Sequence, residues 1–215
     1  MPRTKSKILR WERRPAERPG ELLEAALRVF ATRGYRSATL EEVAAAAGVT
    51  KGAVYHYFDN KEQLLSSALE HHQQRAFARL EGALDSEHGS ATTRIRLLFR
   101  SAFGGDDPIR RDVLLLLHAI AHEAPNVYRH WVANGPLRWW RVVESLIVEG
   151  QRSGEFRRDA DAEVTARIAL VGVLAQFAWQ RYADSVPGLA IDRERLVDSA
   201  VDMLVASLQP PEKRA

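Results

Sequence analysis

The 215-residue sequence contains no cysteine, which excludes a disulfide framework, a thiolate zinc site and a cysteine nucleophile. Long apolar runs are missing as well. The first twenty residues hold no run that would serve as a signal peptide, and the longest apolar stretch, Val113 to Leu117, is too short to span a bilayer. We therefore expect a cytoplasmic protein that has no membrane partner.

Lysine is scarce, since only five of the 31 basic residues are lysine and the other 26 are arginine. Hydrophobic residues make up 46% and charged residues 27% of the chain, which is typical of a globular protein. Residues 1–61 carry twelve basic and seven acidic side chains, whereas the remainder carries nineteen and twenty-one. This uneven charge indicates that the N-terminal end meets a polyanion, although a solvated basic surface would show the same pattern.

No segment alternates in the manner of a β-strand, and helical periodicity recurs along the chain. The pattern predicts an all-α protein with a three-helix head and a larger C-terminal helical bundle. We expect a flexible basic arm at 1–18, a DNA-binding head at 19–65 and a ligand-binding and dimerisation body at 66–215. After the second short helix of the head, further helices are predicted near 61–84, 90–103, 108–122, 126–151, 160–184 and 192–208.

The stretch from Thr39 to Lys61 predicts a helix-turn-helix. Thr39 and Glu42 form a capping box before a short helix, Gly48 ends that helix, and Thr50 caps the next one. The residues expected to form the three-helix core are Leu27, Phe30, Leu40, Val43, Ala44, Ala47, Val49, Val54 and Phe58. The outward side chains of the second short helix would then face a DNA groove, although helical hairpins without nucleic acid have the same layout.

These residues resemble the TetR family of bacterial regulators. The resemblance rests on Phe-Ala-x-x-Gly-Tyr, Ala-Thr-Leu-x-x-Val-Ala, Ala-Gly-Val-Thr-Lys-Gly-Ala-Val-Tyr-His-Tyr-Phe and Asn-Lys-Glu-x-Leu, and it covers about Leu22 to Leu65. Beyond this segment only the helix layout and the element Gly154-Glu-Phe-Arg are similar. The resemblance implies a homodimer that binds a palindromic operator on double-stranded DNA and responds to a small molecule held in its C-terminal body.

The resemblance also implies which residues contact DNA: Thr39, Thr50, Lys51, Gly52, Tyr55, His56, Tyr57 and Lys61. Thr39 and Lys61 correspond to phosphate contacts, and the others belong to the recognition helix. Ala53 departs from the family, since many members carry threonine there, so a contact is expected to be missing. One of the two tyrosines has an alternative place in the core, and Tyr55 is the better DNA contact. The basic arm either lies along DNA or is a solvated tail.

The C-terminal half is rich in aromatic residues, which indicates either an apolar ligand pocket or simply a core. The residues predicted to line a pocket are Phe103, His118, His122, Trp131, Trp140, Gln176 and Phe177. The effector's identity is unknown, and an apolar or aromatic compound would suit such a pocket. Small side chains predict close helix packing in a dimer interface, or alternatively inside one protomer, at Ala166, Ala169, Gly172, Val173, Ala200 and Leu204.

The sequence does not indicate an enzyme, because it has no serine-histidine-aspartate order, phosphate loop or dinucleotide motif. No cofactor is implied. His118 and His122 have the helical spacing of two metal ligands but no third partner in the pattern, so no metal site is predicted. The leading interpretation is a transcription regulator, most simply a repressor. The alternatives are a helical protein that docks on an acidic partner and a DNA binder without sequence preference.

Overall fold

The computed structural model describes residues 18–104, 108–180 and 186–210, which form ten α-helices and no strand. The predicted all-α fold is therefore confirmed. The predicted basic arm lies outside the described residues, except for Arg18, with which the first helix begins. The helices are α1 (Arg18–Arg33), α2 (Leu40–Ala46), α3 (Lys51–Tyr57), α4 (Lys61–Ser86), α5 (Ala91–Phe103), α6 (Pro108–Glu123), α7 (Pro125–Asn134), α8 (Pro136–Ser153), α9 (Ala162–Gln180) and α10 (Arg193–Leu208). Within the described ranges, no helix has both the length and the apolar composition needed to cross a membrane.

Side-chain caps start many of these helices, and each cap oxygen accepts a hydrogen bond from a backbone N–H of the first turn. The caps are Thr39, Thr50, Asn60, Ser90 and Asp192. The predicted capping box is confirmed, because Glu42 N–H donates to the Thr39 hydroxyl at 3.2 Å and Thr39 N–H donates to the Glu42 carboxylate at 3.0 Å. Local signals of this kind set the helix boundaries of the head.

The single helix predicted over 126–151 is in fact two helices, α7 and α8, which meet at Gly135. Pro136 has no N–H to continue the α7 hydrogen-bond ladder. Gln73 of α4 reaches the same corner, where its amide nitrogen donates to the carbonyl of Trp131 at 3.3 Å. A Cβ at Gly135 would overlap with that amide, so the break and the contact with α4 depend on glycine.

Buried side chains form two clusters, and the first one joins the head to the body. The predicted head core is confirmed, with Ala47 and Val49 half-buried at its edge. The same cluster also contains Leu116 and Ile120 from α6 and Val127 from α7. The head therefore shares its core with two helices of the body. The second cluster fills the body between α5, α8, α9 and α10.

The element Gly154-Glu-Phe-Arg ties three body helices together. Gly154 ends α8 with φ of 84° in the left-handed region, where glycine is favoured. Glu155 then accepts hydrogen bonds from the first backbone N–H groups of α5, Ala91 at 2.8 Å and Thr92 at 2.9 Å. Phe156 is buried, and the backbone N–H of Arg157 donates to the carbonyl of Leu208 at the end of α10.

Candidate nucleic-acid interface and ligand cavity

Helix α3 presents a nearly continuous polar and aromatic surface to solvent. Val54 is its only buried residue, and Lys51, Gly52, Tyr55, His56 and Tyr57 are all exposed. Thr39 and Thr50, the caps of α2 and α3, are exposed as well. The structure therefore places these predicted contacts on the surface of the head, along α3 and at the start of α2.

Both tyrosines of α3 are half exposed, at 48% for Tyr55 and 49% for Tyr57. The alternative that one of them belongs to the core is therefore wrong for this chain. The ring of His56 packs edge-on against Tyr57 with 5.1 Å between centroids, which holds the two rings together on the surface.

Gly52 has open space around it. A Cβ built there would meet only the hydroxyl of Thr50, at 3.9 Å. No packing within the described chain therefore requires a glycine at this position. A flat surface at the first turn of α3 allows close approach by something outside the protein, such as a phosphate group.

The ammonium group of Lys51 forms an ion pair with Glu41 of α2 and lies 5.6 Å from the ring of Tyr55. The hydrogen bond that Lys51 donates to Glu41, together with the charge of Glu41, raises the pKa of Lys51, and the same bond lowers the pKa of Glu41. Both side chains are exposed, so the pair exchanges readily for other partners. Any anion that binds Lys51 must compete with the carboxylate of Glu41.

Lys61 is placed differently from the other predicted DNA contacts. Its ammonium group donates to the carbonyl of Arg36 at 3.0 Å and lies 4.8 Å above the ring of Tyr35. Partial burial lowers its pKa. In this structure Lys61 joins the start of α4 to the turn after α1, so its ammonium group is already engaged by Arg36 and Tyr35.

The turn that follows α1 also contacts the end of α6, because the guanidinium of Arg36 lies 3.3 Å from the carboxylate of Glu123. Burial raises the pKa of Tyr35 in the same cluster, and the charges of Glu62 and Glu123 raise it further. Sequence reasoning missed this junction, since Glu123 is far from the head motif along the chain. The only local signal was the Gly-Tyr pair at the end of α1.

A cavity of about 130 Å³ lies between α4, α5, α6 and α9, with contributions from α7, α8 and α10. Its apolar wall includes Phe103, Leu117, Trp131, Trp139, Leu174 and Phe177. Phe103 and Phe177 are neighbours, with 5.9 Å between their ring centroids. Three of the predicted pocket residues, Phe103, Trp131 and Phe177, thus border one space.

The other four predicted pocket residues do not line this cavity. His118 and His122 are exposed, because α6 buries its opposite face, which carries Val113 and Leu117. Gln176 is exposed on α9. Trp140 contacts Arg167, whose guanidinium lies 4.2 Å from the centre of the indole ring. Among the described residues, no three side chains of the metal-binding types come together.

The cavity also contains polar residues that the sequence analysis did not select. Gln73, Arg79 and Arg193 all border it. Gln73 is the one buried polar side chain of the described residues. The signal available in the sequence was a glutamine on the apolar stripe of a long helix.

The small side chains predicted to form a dimer interface are divided between the inside and the surface of the protomer. Ala166, Val173 and Leu204 are buried in the body core, Ala169 and Ala200 are half-buried, and Gly172 is exposed. The exposed side of α9 instead carries large apolar side chains, including Val164, Ile168, Val171 and Trp179. Interior packing thus accounts for the three buried residues.

Comparison with known proteins agrees with the family resemblance of the N-terminal segment. Residues 22–68 match the model of the family described as bacterial regulatory proteins, tetR family. The chain is 26% identical over 164 residues to the HTH-type transcriptional repressor KstR2 of Mycobacterium tuberculosis strain H37Rv, covering 76% of this chain and 82% of that protein. It is 26% identical over 159 residues to the HTH-type transcriptional regulator UidR of Escherichia coli K12, covering 72% and 78%.

Solved structures share the fold. The transcriptional regulator FadR from Bacillus subtilis in complex with stearoyl-CoA aligns with a TM-score of 0.72 and 23% identity, over 88% of this chain and 98% of that one. A regulator from Saccharomonospora viridis in complex with choline aligns with a TM-score of 0.73 and 20% identity, over 91% and 98%. The relatives found by sequence are transcriptional regulators and not enzymes.

Proposed function

Because the chain belongs to the TetR family of bacterial regulatory proteins, we propose that it is a cytoplasmic, dimeric repressor that a small-molecule effector releases from a palindromic operator. The surface of α3 carries this proposal: a capped seven-residue helix exposes Lys51, Gly52, Tyr55 and His56 and keeps only Val54 for the core. That division leaves almost the whole helix free to enter a major groove.

We assign the DNA contacts to two groups. Thr39, Thr50 and Lys51, at the first turns of α2 and α3, are suited to phosphate oxygens, because hydroxyl, ammonium and backbone N–H groups lie together there. Tyr55, His56 and Tyr57 are suited to the groove and its edges. Lys61 supports the interface by fixing the start of α4 against the turn after α1.

The exposed apolar side of α9 supports a homodimer. Ile168 is 68% exposed, and Val164, Val171 and Trp179 are exposed on the same helix. Met203 of α10 is 75% exposed. Large apolar side chains gathered on one exposed side of a helix are typical of a protein–protein contact, so a second copy of the chain would cover this face in an isologous contact. The interface we propose therefore includes Gly172 and lies beside the residues predicted from small side chains. Two heads held in this way would meet half-sites about one helical turn apart.

The cavity is the effector site that we propose, and two helices connect it with the head. Helix α4 runs without a break from its Asn60 cap in the head to the cavity wall at Gln73 and Arg79. Helix α6 borders the cavity at Leu117 and reaches the head at Glu123. A ligand that binds more tightly to one arrangement of these helices than to another would change the spacing of the two heads.

Fluorescence-anisotropy titration tests the proposal. The full-length protein would be titrated against labelled DNA from the region upstream of its own gene and against a scrambled duplex of equal length. We expect at least about a hundredfold preference for the native sequence. Lys51→Ala and His56→Ala should weaken that preference, whereas Arg158→Ala, at an exposed position outside the head, should leave it unchanged. Equal binding to both duplexes would refute a sequence-specific regulator.

A further inference from the structure

The wall of the cavity is positively charged at two places. Arg79 of α4 and Arg193 of α10 both border it, and none of its described lining residues is an aspartate or glutamate. The guanidinium of Arg193 donates to the carbonyl of Phe103 at 3.1 Å and lies 4.5 Å from the ring of Phe177. Arginine stays charged under all ordinary conditions, so two positive charges and no described carboxylate border the apolar space.

A second recess, of about 230 Å³, lies between α1 and α4 and shares His72 and Arg79 with the cavity. Arg28 of α1 and Arg75 of α4 also line it. Its single carboxylate, Glu24, pairs with Arg75 and lies 3.9 Å from the imidazole of His71. Among the described residues, neither Arg28 nor Arg79 has a carboxylate within ion-pair distance. Three arginine side chains, all of them exposed, and one carboxylate thus line the recess where the cavity meets the head.

We propose that the effector is an amphipathic anion. Its apolar part fills the cavity, and its carboxylate or phosphate group is bound by Arg79 and Arg28 in the adjoining recess. This inference rests on the proposed function, in which the cavity is the effector site. A cavity of about 130 Å³ has room for one ring or a short chain, since a cavity of about 150 Å³ holds benzene. Guanidinium groups bind carboxylate and phosphate through paired hydrogen bonds, whereas a cationic ligand would be repelled.

The position of the recess gives the anionic group a regulatory role. Arg28 belongs to the head helix α1, and Arg79 belongs to α4, which also lines the cavity. An anion bound between them attracts both guanidinium groups and competes with Glu24 for Arg75. The contact between α1 and α4 then changes when the ligand binds. The charged group, rather than the apolar part, is what lowers the affinity for the operator.

Calorimetric titration of the full-length protein distinguishes these roles. The probes are 3-phenylpropanoate, its coenzyme A thioester, the neutral 3-phenylpropan-1-ol, and the cationic 3-phenylpropyl-trimethylammonium. We expect at least one anion to bind about tenfold or more tightly than the alcohol, as a charged hydrogen bond gives, and the ammonium compound to bind more weakly still. Comparison of the two anions separates a carboxylate from a phosphate-bearing group.

Variants locate the binding. Arg79→Gln should remove the advantage of the anion and leave the affinity for the alcohol within about twofold, and Arg158→Gln serves as the matched control. Leu174→Trp, which fills the cavity, should weaken all the probes. Equal binding of alcohol and anions, an unchanged preference in Arg79→Gln, full binding to Leu174→Trp, or no binding of any probe would each overturn the inference.

Operator binding by the same preparations separates the two proposals. If the protein prefers its operator but shows no preference for an anion, the inference about the effector fails alone. If it does not discriminate between operator and scrambled duplex, the proposed function fails, whatever the calorimetry gives. A further expected result is that a bound anion lowers operator affinity, whereas the alcohol at equal occupancy does not. Equal release by the alcohol would contradict the role of the charged group.

Discussion

The guanidinium of Arg36 and the carboxylate of Glu123 lie 3.3 Å apart, and this ion pair joins the turn after α1 to the last residue of α6. The carbonyl of Arg36 also accepts the hydrogen bond from Lys61 at the start of α4. One residue of the head is thus bound to two helices that border the cavity.

Removal of this ion pair should loosen the junction with little loss of stability. Arg36 is largely exposed, so Glu123→Gln should lower the free energy of unfolding by about 1 kcal/mol or less. We expect faster amide hydrogen exchange in peptides covering 34–39 and 118–124, measured by mass spectrometry. Glu163→Gln, which removes an exposed ion pair within α9, is the control. Unchanged exchange at both segments would show that the pair does not hold the head.

The two lysines of the head should differ in how their loss affects the salt dependence of DNA binding. Lys51 is exposed and exchanges Glu41 for phosphate, so Lys51→Ala should reduce the slope of log affinity against log salt by about one per protomer. The ammonium of Lys61 is instead engaged by the carbonyl of Arg36 and the ring of Tyr35. Lys61→Met should therefore lower the free energy of unfolding by about 1–2 kcal/mol and leave the slope nearly unchanged. Anisotropy titrations at several salt concentrations and urea unfolding measure the two quantities. If Lys61 instead bound phosphate, Lys61→Met would reduce the slope and leave the free energy of unfolding nearly unchanged.

Two helical glycines should respond in opposite directions to alanine. A Cβ at Gly150 of α8 would overlap with the ring of Phe156, which is itself buried. Gly150→Ala should therefore lower the free energy of unfolding by about 1–3 kcal/mol. At Gly82 of α4 a Cβ has nothing within 4 Å, so Gly82→Ala should raise it by about 0.5–1 kcal/mol. Denaturant titration measures both, and a stabilised Gly150→Ala protein would contradict the described packing of Phe156.

The body should lose stability in acid partly because the carboxylate of Glu155 becomes protonated. Burial alone would raise the pKa of its carboxyl, but hydrogen bonds from Thr92, Ala91 and Ser90 outweigh this effect, and the pKa is lowered from its ordinary value of 4.5. Its contribution to stability is therefore complete above that value and is lost as pH falls through the lower, folded-state pKa. Between about pH 7 and about pH 3, Glu155→Gln should lose less stability than the parent protein, as measured by urea unfolding. An equal loss in the two proteins would exclude this carboxylate as a source of the pH dependence.

The head was predictable from sequence because its determinants are local. Thr39 and Glu42 are three residues apart, and the inward positions Val43, Val54 and Phe58 follow from helical spacing within a short segment. The cavity was not predictable in the same way. Spacing placed His118 and His122 on one face of α6, but only packing against other helices determines which face is covered.

The break between α7 and α8 was missed for a related reason. Gly135 and Pro136 were visible in the sequence, yet the corner depends on the amide of Gln73, which is distant along the chain. The dimer residues chosen for their small side chains were ambiguous because close packing inside a protomer and between protomers selects the same residue types. The packing of the protomer shows only that Ala166, Val173 and Leu204 are buried inside it.

The shared core has a consequence for engineering new operator specificities. Leu116, Ile120 and Val127 belong to the body, yet they complete the same apolar cluster as Phe30 and Val43 of the head. Exchange of residues 19–65 with those of a relative would replace the head side chains of this cluster but keep those of α6 and α7. The new head side chains would then pack against a surface that does not match them. A functional chimaera would thus need matching substitutions in α6 and α7. Substitutions of α3 surface residues alone would leave the packing of the shared cluster unchanged.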